Sequence, residues 1–184
     1  MTSEGLAAQK RRPATPEDLL AYLRSLGIAA TTHTHAPVFT VEEAKHLRGR
    51  LPGAHCKSLY LRDKKGAEFL VVCLEDRRLD MKALAALIGA GRLSFGSAGR
   101  MRARLGVEPG SVTPFAAIND RGADRAARIR VVLDVEMMQS ALVNYHPLVN
   151  SRTTAVAPSD LLRFLAATGH EPLIVDLEPA TQRN

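Results

Sequence analysis

Two cysteines, three tyrosines, five phenylalanines and no tryptophan leave this 184-residue chain poor in the residues that staple or pave a structure. Cys56 and Cys73 form no CxxC pair, which excludes a disulfide scaffold and a four-ligand cysteine zinc site and points to a reducing compartment, the cytoplasm. So few aromatics exclude a sheet paved for base stacking, so any nucleic acid is expected to be held mainly through charge. Long apolar runs are missing as well. Phe69 to Leu74 falls far short of the ~20 residues a spanning helix needs, and the N-terminus lacks a signal peptide's apolar stretch. Neither a membrane protein nor a secreted one is expected.

What is present is 46% hydrophobic residues and 25 Lys and Arg against 19 Asp and Glu, a net charge of +6. A chain of this size buries roughly 70% of its unfolded surface in one core. The expected organisation is a flexible basic arm over residues 1–14, with Lys10, Arg11 and Arg12, followed by one domain over 15–184.

Thr15 as N-cap, Pro16 at the first helical position and the Leu19, Leu20, Leu23, Leu26 stripe predict a helix closed by Gly27. Thr40 and Glu43 form a capping box for a short helix to about Arg48. Strands are predicted over 58–62 and 68–74, joined by the turn Asp63-Lys64-Lys65-Gly66. Further on come a helix over 80–88, a strand over 93–95, a helix over 97–105 and a strand over 114–118 leading into the turn Asn119 to Gly122. The alternating segment 128–134 reads as a strand, 135–140 as a short helix, 145–147 and 153–156 as strand ends, 159–167 as a helix and 172–176 as a last strand. Hairpin turns join strands directly, so the fold class is α+β rather than a doubly wound sheet.

Most catalytic signatures fail on spacing. His33 and His35 share a strand face, but no HExxH or third ligand stands near them, so no metal and no cofactor is expected. Gly96-Ser97-Ala98-Gly99 has the wrong spacing for a nucleophile elbow, and no GxxxxGK[ST] is present. Two features remain. Alternation places Lys57 on the apolar side of its strand with Leu59 and Leu61, where an inward ammonium needs an anion, although a Lys at a strand end also snorkels to water. The Pro109-Gly110-Ser111-Val112-Thr113-Pro114 loop has an irregular backbone suited to presenting N–H groups to an oxyanion, or forms an ordinary turn. Arginines cluster at Arg48/Arg50, Arg100/Arg102/Arg104 and Arg121/Arg125/Arg128/Arg130, in keeping with affinity for RNA phosphates.

The strings THAPVFTVEEA (34–44), CKSLYLRDKKG (56–66), GRLSFGS (91–97), LGVEPGSVTPFAAIND (105–120) and YHPL (145–148) resemble the YbaK/ProX family of aminoacyl-tRNA deacylases. Within it the likeness is to the free-standing prolyl-tRNA editing proteins, and it runs from about Pro16 to Val175. The resemblance implies a compact mixed, largely antiparallel β-sheet with surrounding helices, and hydrolysis of mischarged alanyl-tRNA(Pro). Carried over residue by residue, Lys57 is the essential strand lysine that engages the tRNA 3′ end. Gly110 opens the loop around the aminoacyl carbonyl, lined by Ser111, Val112, Thr113 and Pro114, and His146 with Pro147 borders the pocket. Ser58 stands where close relatives often carry Asn, which leaves the amino acid removed open: seryl or cysteinyl esters are alternatives to alanyl. The implied partners are aminoacyl-tRNA, tRNA(Pro) above all, and prolyl-tRNA synthetase. An alternative of a different class is a non-catalytic module that binds tRNA or a synthetase.

Overall fold

The computed structural model describes residues 12–36, 51–120 and 128–182. Helix α1 (Pro16–Ser25) starts where its capping chemistry dictates: Thr15 Oγ1 accepts from Asp18 N–H at 3.2 Å and the Asp18 carboxylate accepts from Thr15 N–H at 2.9 Å. Leu19 and Leu23 are its buried residues. Ahead of it, Ala14 N–H donates to Asn119 Oδ1 at 2.8 Å, so the end of the expected arm is tied to the domain. Residues 1–11 of the arm, the helix expected over 40–48 and the turn beyond Asp120 lie outside the described residues.

One sheet organises the chain. Its strands are β1 (Thr31–Thr34), β2 (Ala54–Asp63), β3 (Glu68–Leu74), β4 (Leu93–Phe95), β5 (Arg130–Asp134), β6 (Val143–Tyr145), β7 (Arg152–Val156) and β8 (Leu173–Val175). They run in the order β1-β7-β6-β2-β3-β5-β8, with β4 pairing the far half of β2. β2–β3, β2–β4, β6–β7 and β1–β7 are antiparallel; β2–β6, β3–β5 and β5–β8 are parallel. The mostly antiparallel, mixed sheet agrees with the α+β expectation.

The central strands are buried on both faces, which is why β3 reads as a continuous apolar run. Tyr60, Leu70, Val72, Val131 and Leu133 join one core with α1, Phe115 and α4 (Pro158–Ala167). Leu61, Phe69, Val71, Cys73 and Val132 join a second core with α2 (Met81–Leu87) and the 3-10 turn Glu178–Ala180. In the first core Phe115 makes edge-on ring contacts with Phe164 and Tyr145, centroids 5.4 and 5.7 Å apart. Among the described residues no helix is long and apolar enough to cross a membrane.

Two expectations are corrected. Residues Pro114–Ile118 form a 3-10 helix, not a strand: Thr113 caps it, Pro114 suits its first position, and all five residues are buried with no partner strand to alternate against. The strand expected at 145–147 ends at Tyr145, leaving His146 and Pro147 in the connection to β7.

A polar network ties the first core to its rim. The Tyr60 hydroxyl donates to Glu68, which Arg104 of α3 (Ala98–Leu105) grips at 2.7 Å. The same guanidinium lies 3.0 Å from Asp120, whose other oxygen accepts from Ile129 N–H at 2.6 Å and meets His170 at 3.2 Å. Asp120 and His170 are both buried, so each needs the other's bond to tolerate the interior.

Candidate active site

The start of β2 and the start of β6 lie side by side, in register at Ala54↔Val143 and His55↔Asn144. Ala54, Cys56, Val143 and Tyr145 pack on the first core. Alternation therefore turns Lys57 to the opposite face, and His146 follows directly on Tyr145, just past the end of β6. Across β7, Thr153 stands on that face, paired with His33 of β1.

Lys57 finds no anion there. It is half-buried, and its ammonium donates to the backbone carbonyl of Arg77. Arg77 is itself fixed: its guanidinium lies 2.8 Å from fully buried Asp134, also pairs with Glu136, and donates to Thr181 Oγ1 at 2.8 Å. A cavity of about 370 Å³ opens beside it, lined by His55, Arg77, Glu75, Asp76, Glu136 and Thr181 together with Leu74. A larger open cavity of about 670 Å³, between Arg12 and α3, takes in none of Lys57, Gly110 to Pro114 or His146.

His146 Nδ1 sits 3.0 Å from the Arg152 carbonyl. A carbonyl only accepts, so Nδ1 carries the proton and Nε2 keeps its lone pair. Burial lowers the imidazole pKa and neighbouring His35 lowers it further, while the Arg152 bond opposes them, leaving the ring neutral and Nε2 available as an acceptor near neutral pH. His35 is held by Thr153 Oγ1 at 3.0 Å and by the Ala36 carbonyl at 2.8 Å.

The Gly110 to Pro114 loop connects α3 to the 3-10 helix that begins at Pro114. Gly110 has φ +89°, a conformation that favours glycine, and the nearest atom to a side chain placed there would be Asn150 Nδ2, in the connection that follows His146. Ser111 N–H closes a turn on Glu108 at 2.9 Å, and Thr113 Oγ1 accepts from Phe115 N–H at 3.3 Å. Ser111, Thr113 and Pro114 are buried, while Val112 is partly exposed and packs on the first core. Ser58 shares that face with Cys56 and Tyr60. Lys57 and Ser58 therefore lie on opposite faces of β2, Ser58 on the side of the first core, where Val112 also packs. Pro147 is buried beside His146, and next to it Leu148 has φ +68°, the one non-glycine in the left-handed region among the described residues.

Neither thiol is a nucleophile. Burial pushes Cys56 up to about 12, against the opposing effect of Tyr145, and Cys73 up to about 11. Among the described residues no group of three or more His, Cys, Asp or Glu is placed to hold a metal ion. Sequence reading missed Thr153, Arg77 and Asn150, and it weighed His35 only with His33 as a metal ligand, not as a neighbour of His146.

The model of the aminoacyl-tRNA editing domain matches residues 35–164. The chain belongs to that family. It is 36% identical over 167 residues to prolyl-tRNA synthetase associated domain-containing protein 1 of Xenopus laevis, covering 88% of this chain and 96% of the relative. It is 34% identical to the prolyl-tRNA editing protein ProX of Acetoanaerobium sticklandii, covering 86% of this chain and 95% of that one. Among solved structures, one provisionally named a trans-editing enzyme for prolyl tRNA synthetase superposes with a TM-score of 0.65 at 22% identity, covering 94% of this chain and 98% of the other. That last likeness carries the fold of the editing family. Across the family match, His35, Lys57, Gly110 to Pro114 and His146 all fall inside the shared region.

Proposed function

We propose that this protein is a trans-editing deacylase that hydrolyses the ester of mischarged aminoacyl-tRNA, with alanyl-tRNA(Pro) as its principal substrate. The observation that carries the reading is the editing-domain match over 35–164, a span that includes Lys57, the Gly110 to Pro114 loop and His146. The naming of two relatives for prolyl-tRNA synthetase or prolyl-tRNA editing supports tRNA(Pro) as the carrier and the synthetase as a partner.

An aminoacyl ester is already activated, so positioning and electrostatics suffice for its hydrolysis. Water adds to the carbonyl carbon, the oxyanion that forms is met by backbone N–H groups of the Gly110 loop, and the carbon–oxygen bond to the ribose breaks to release the amino acid and a free tRNA hydroxyl. The His146 Nε2 lone pair accepts a hydrogen bond from water or ribose hydroxyl, and the Lys57 ammonium holds the negatively charged 3′ end of the RNA.

Selectivity follows from size. A synthetase pocket shaped for proline excludes smaller alanine by only ~1–3 kcal/mol, so a second site that accepts the smaller group corrects the error. Here Val112 and buried Pro114 form the wall that rejects the proline ring. The Ser58 hydroxyl favours one further substrate, the seryl ester. The test is a panel of labelled aminoacyl-tRNAs incubated with catalytic enzyme. Alanyl-tRNA(Pro) should be consumed while prolyl-tRNA(Pro) survives; comparable rates on the two overturn the size sieve, and no turnover on any ester leaves a binding module.

A further inference from the structure

The exposed edge of β4 lies in a segment that carries charge of one sign only. Between Asp80 and Glu108 the sequence holds no Asp or Glu, but it holds Lys82, Arg92, Arg100, Arg102 and Arg104. Arg102 and Arg104 are spent on Glu108, Glu68 and Asp120. Arg92 and Arg100 are exposed and have no ion pair among the described residues, and so are Lys64 and Lys65 at the tip of the β2–β3 hairpin. The nearby acids do not neutralise them. Asp63 is buried and accepts from the N–H groups of Lys65, Ala67 and Gly91, and Glu68 is taken by Tyr60 and Arg104. Arg100 even stands in the first turn of α3, where the helix dipole disfavours a cation unless an outside anion answers it.

Among these cations Phe95 is 66% exposed, the largest exposure of a bulky apolar side chain among the described residues. It pairs with Leu61 on β2, and among the described residues β4 has no strand on its other side. We infer that this edge is an RNA-docking surface, on which an unpaired base stacks against Phe95 while Arg92, Arg100 and Lys64 neutralise phosphates. The inference rests on the deacylase reading for the identity of the RNA and adds a contact outside the catalytic end. Four residues of β2 separate Lys57 from Leu61, ~13 Å at the rise of a strand. That is about four nucleotides at ~3.4 Å each, so one RNA strand reaches both places. A single aromatic among basic groups also fits the scarcity of aromatics in the chain: charge supplies most of the affinity and one stacked base orients the strand.

The test uses the full chain and an unacylated RNA hairpin with an unpaired 3′ tail, followed by fluorescence anisotropy across a salt series. Phe95→Ser should weaken binding about 5- to 150-fold, the loss of one stacked base. The triple variant Lys64→Ala/Arg92→Ala/Arg100→Ala should reduce the log–log salt slope by about 2 to 3. Arg24→Ala, an exposed cation on α1, should change neither by more than the error of the measurement. In turnover, both β4-edge variants should raise KM and leave kcat in place. Wild-type affinity and slope in both variants overturn the inference, as does a Phe95→Ser protein that keeps its RNA affinity but loses self-association in sedimentation, which would make the edge a protein interface. Because the probe carries no ester, the two readings fail separately: RNA binding that follows this pattern without turnover removes the deacylase, and turnover with unaltered RNA binding by the variants removes the docking surface.

Discussion

Gly96 follows β4, and its N–H donates to the Tyr60 carbonyl at 2.9 Å. A Cβ at this position would lie 2.2 Å from Tyr60 Cε1, 2.3 Å from Cδ1 and 3.1 Å from Cζ. Carbon atoms rest ~3.5–4.0 Å apart, so Gly96→Ala demands more than an ångström of retreat. The ring cannot give way cheaply: Tyr60 is 2% exposed and its hydroxyl is committed to Glu68, which Arg104 holds. Overpacking costs ~1–3 kcal/mol, and losing a hydrogen bond to a charged group costs ~1.5–3 kcal/mol. The expected destabilisation is roughly 3 to 5 kcal/mol, which at ~2–4 °C per kcal/mol for a chain of this size lowers the melting temperature by about 6–20 °C. Urea and thermal unfolding followed by circular dichroism measure it. The same substitution in a Tyr60→Ala background should cost less than ~1 kcal/mol, because the space is then vacant. An equal cost in both backgrounds, or a loss under ~1 kcal/mol in the natural sequence, would refute the reasoning.

Lys57→Met should abolish deacylation while costing only about 1 kcal/mol of stability, since one hydrogen bond to the Arg77 carbonyl is lost; a folded variant with full turnover removes Lys57 from the site. His146 should titrate below ~6.5 by NMR, and His35→Ala should move the midpoint upward; a midpoint at or above ~6.5 contradicts the buried neutral ring. The stability that its lowered pKa contributes is present above ~6.5 and is lost as pH falls from there toward the folded value. Asp120 has a lowered pKa because the His170 and Ile129 bonds and Arg104 outweigh burial, which acts to raise it, so its contribution is present above ~3.9 and disappears as pH falls through the folded value. Asp120→Asn should cost about 3–5 kcal/mol at neutral pH and flatten the acid limb of the stability profile; an unchanged limb excludes Asp120 as its source.

Local signals were legible wherever the responsible atoms are close in sequence. The Thr15 capping box, the Asp63 hairpin turn, the Ser97 cap of α3 and the alternation of β5 each specify their element without tertiary help. Pro114 to Ile118 was misread because an apolar run of five fits a buried strand and a buried 3-10 turn equally, and only the absence of a partner strand separates them. The parallel pairing of β2 with β6 joins residues far apart in the chain, so the approach of the two strands that lead to Lys57 and His146 left no trace in spacing. Alternation turned Lys57 to the apolar side of its strand but left its partner open, and the carbonyl that receives it belongs to Arg77, whose position depends on Asp134 and Thr181 at still greater separations.

The pairing of β1 with β7 joins Thr31 to Ala155 and Thr34 to Arg152, a closure of more than a hundred residues, whereas β2 and β3 meet across a four-residue turn. Hairpins form in ~1–10 μs, while contacts across long loops wait until the intervening chain is ordered. The β2–β3 hairpin is therefore expected to form early and β1 to dock late. β1 is also an edge strand with three of its four residues exposed, so it has little apolar contact to resist opening. Amide exchange should be fastest there and slowest in β3. His35 and the Thr153 bond would then come and go with the fraying of β1, so that the wall beside His146 is complete in only part of the native ensemble and the last strand to fold is the first to release it.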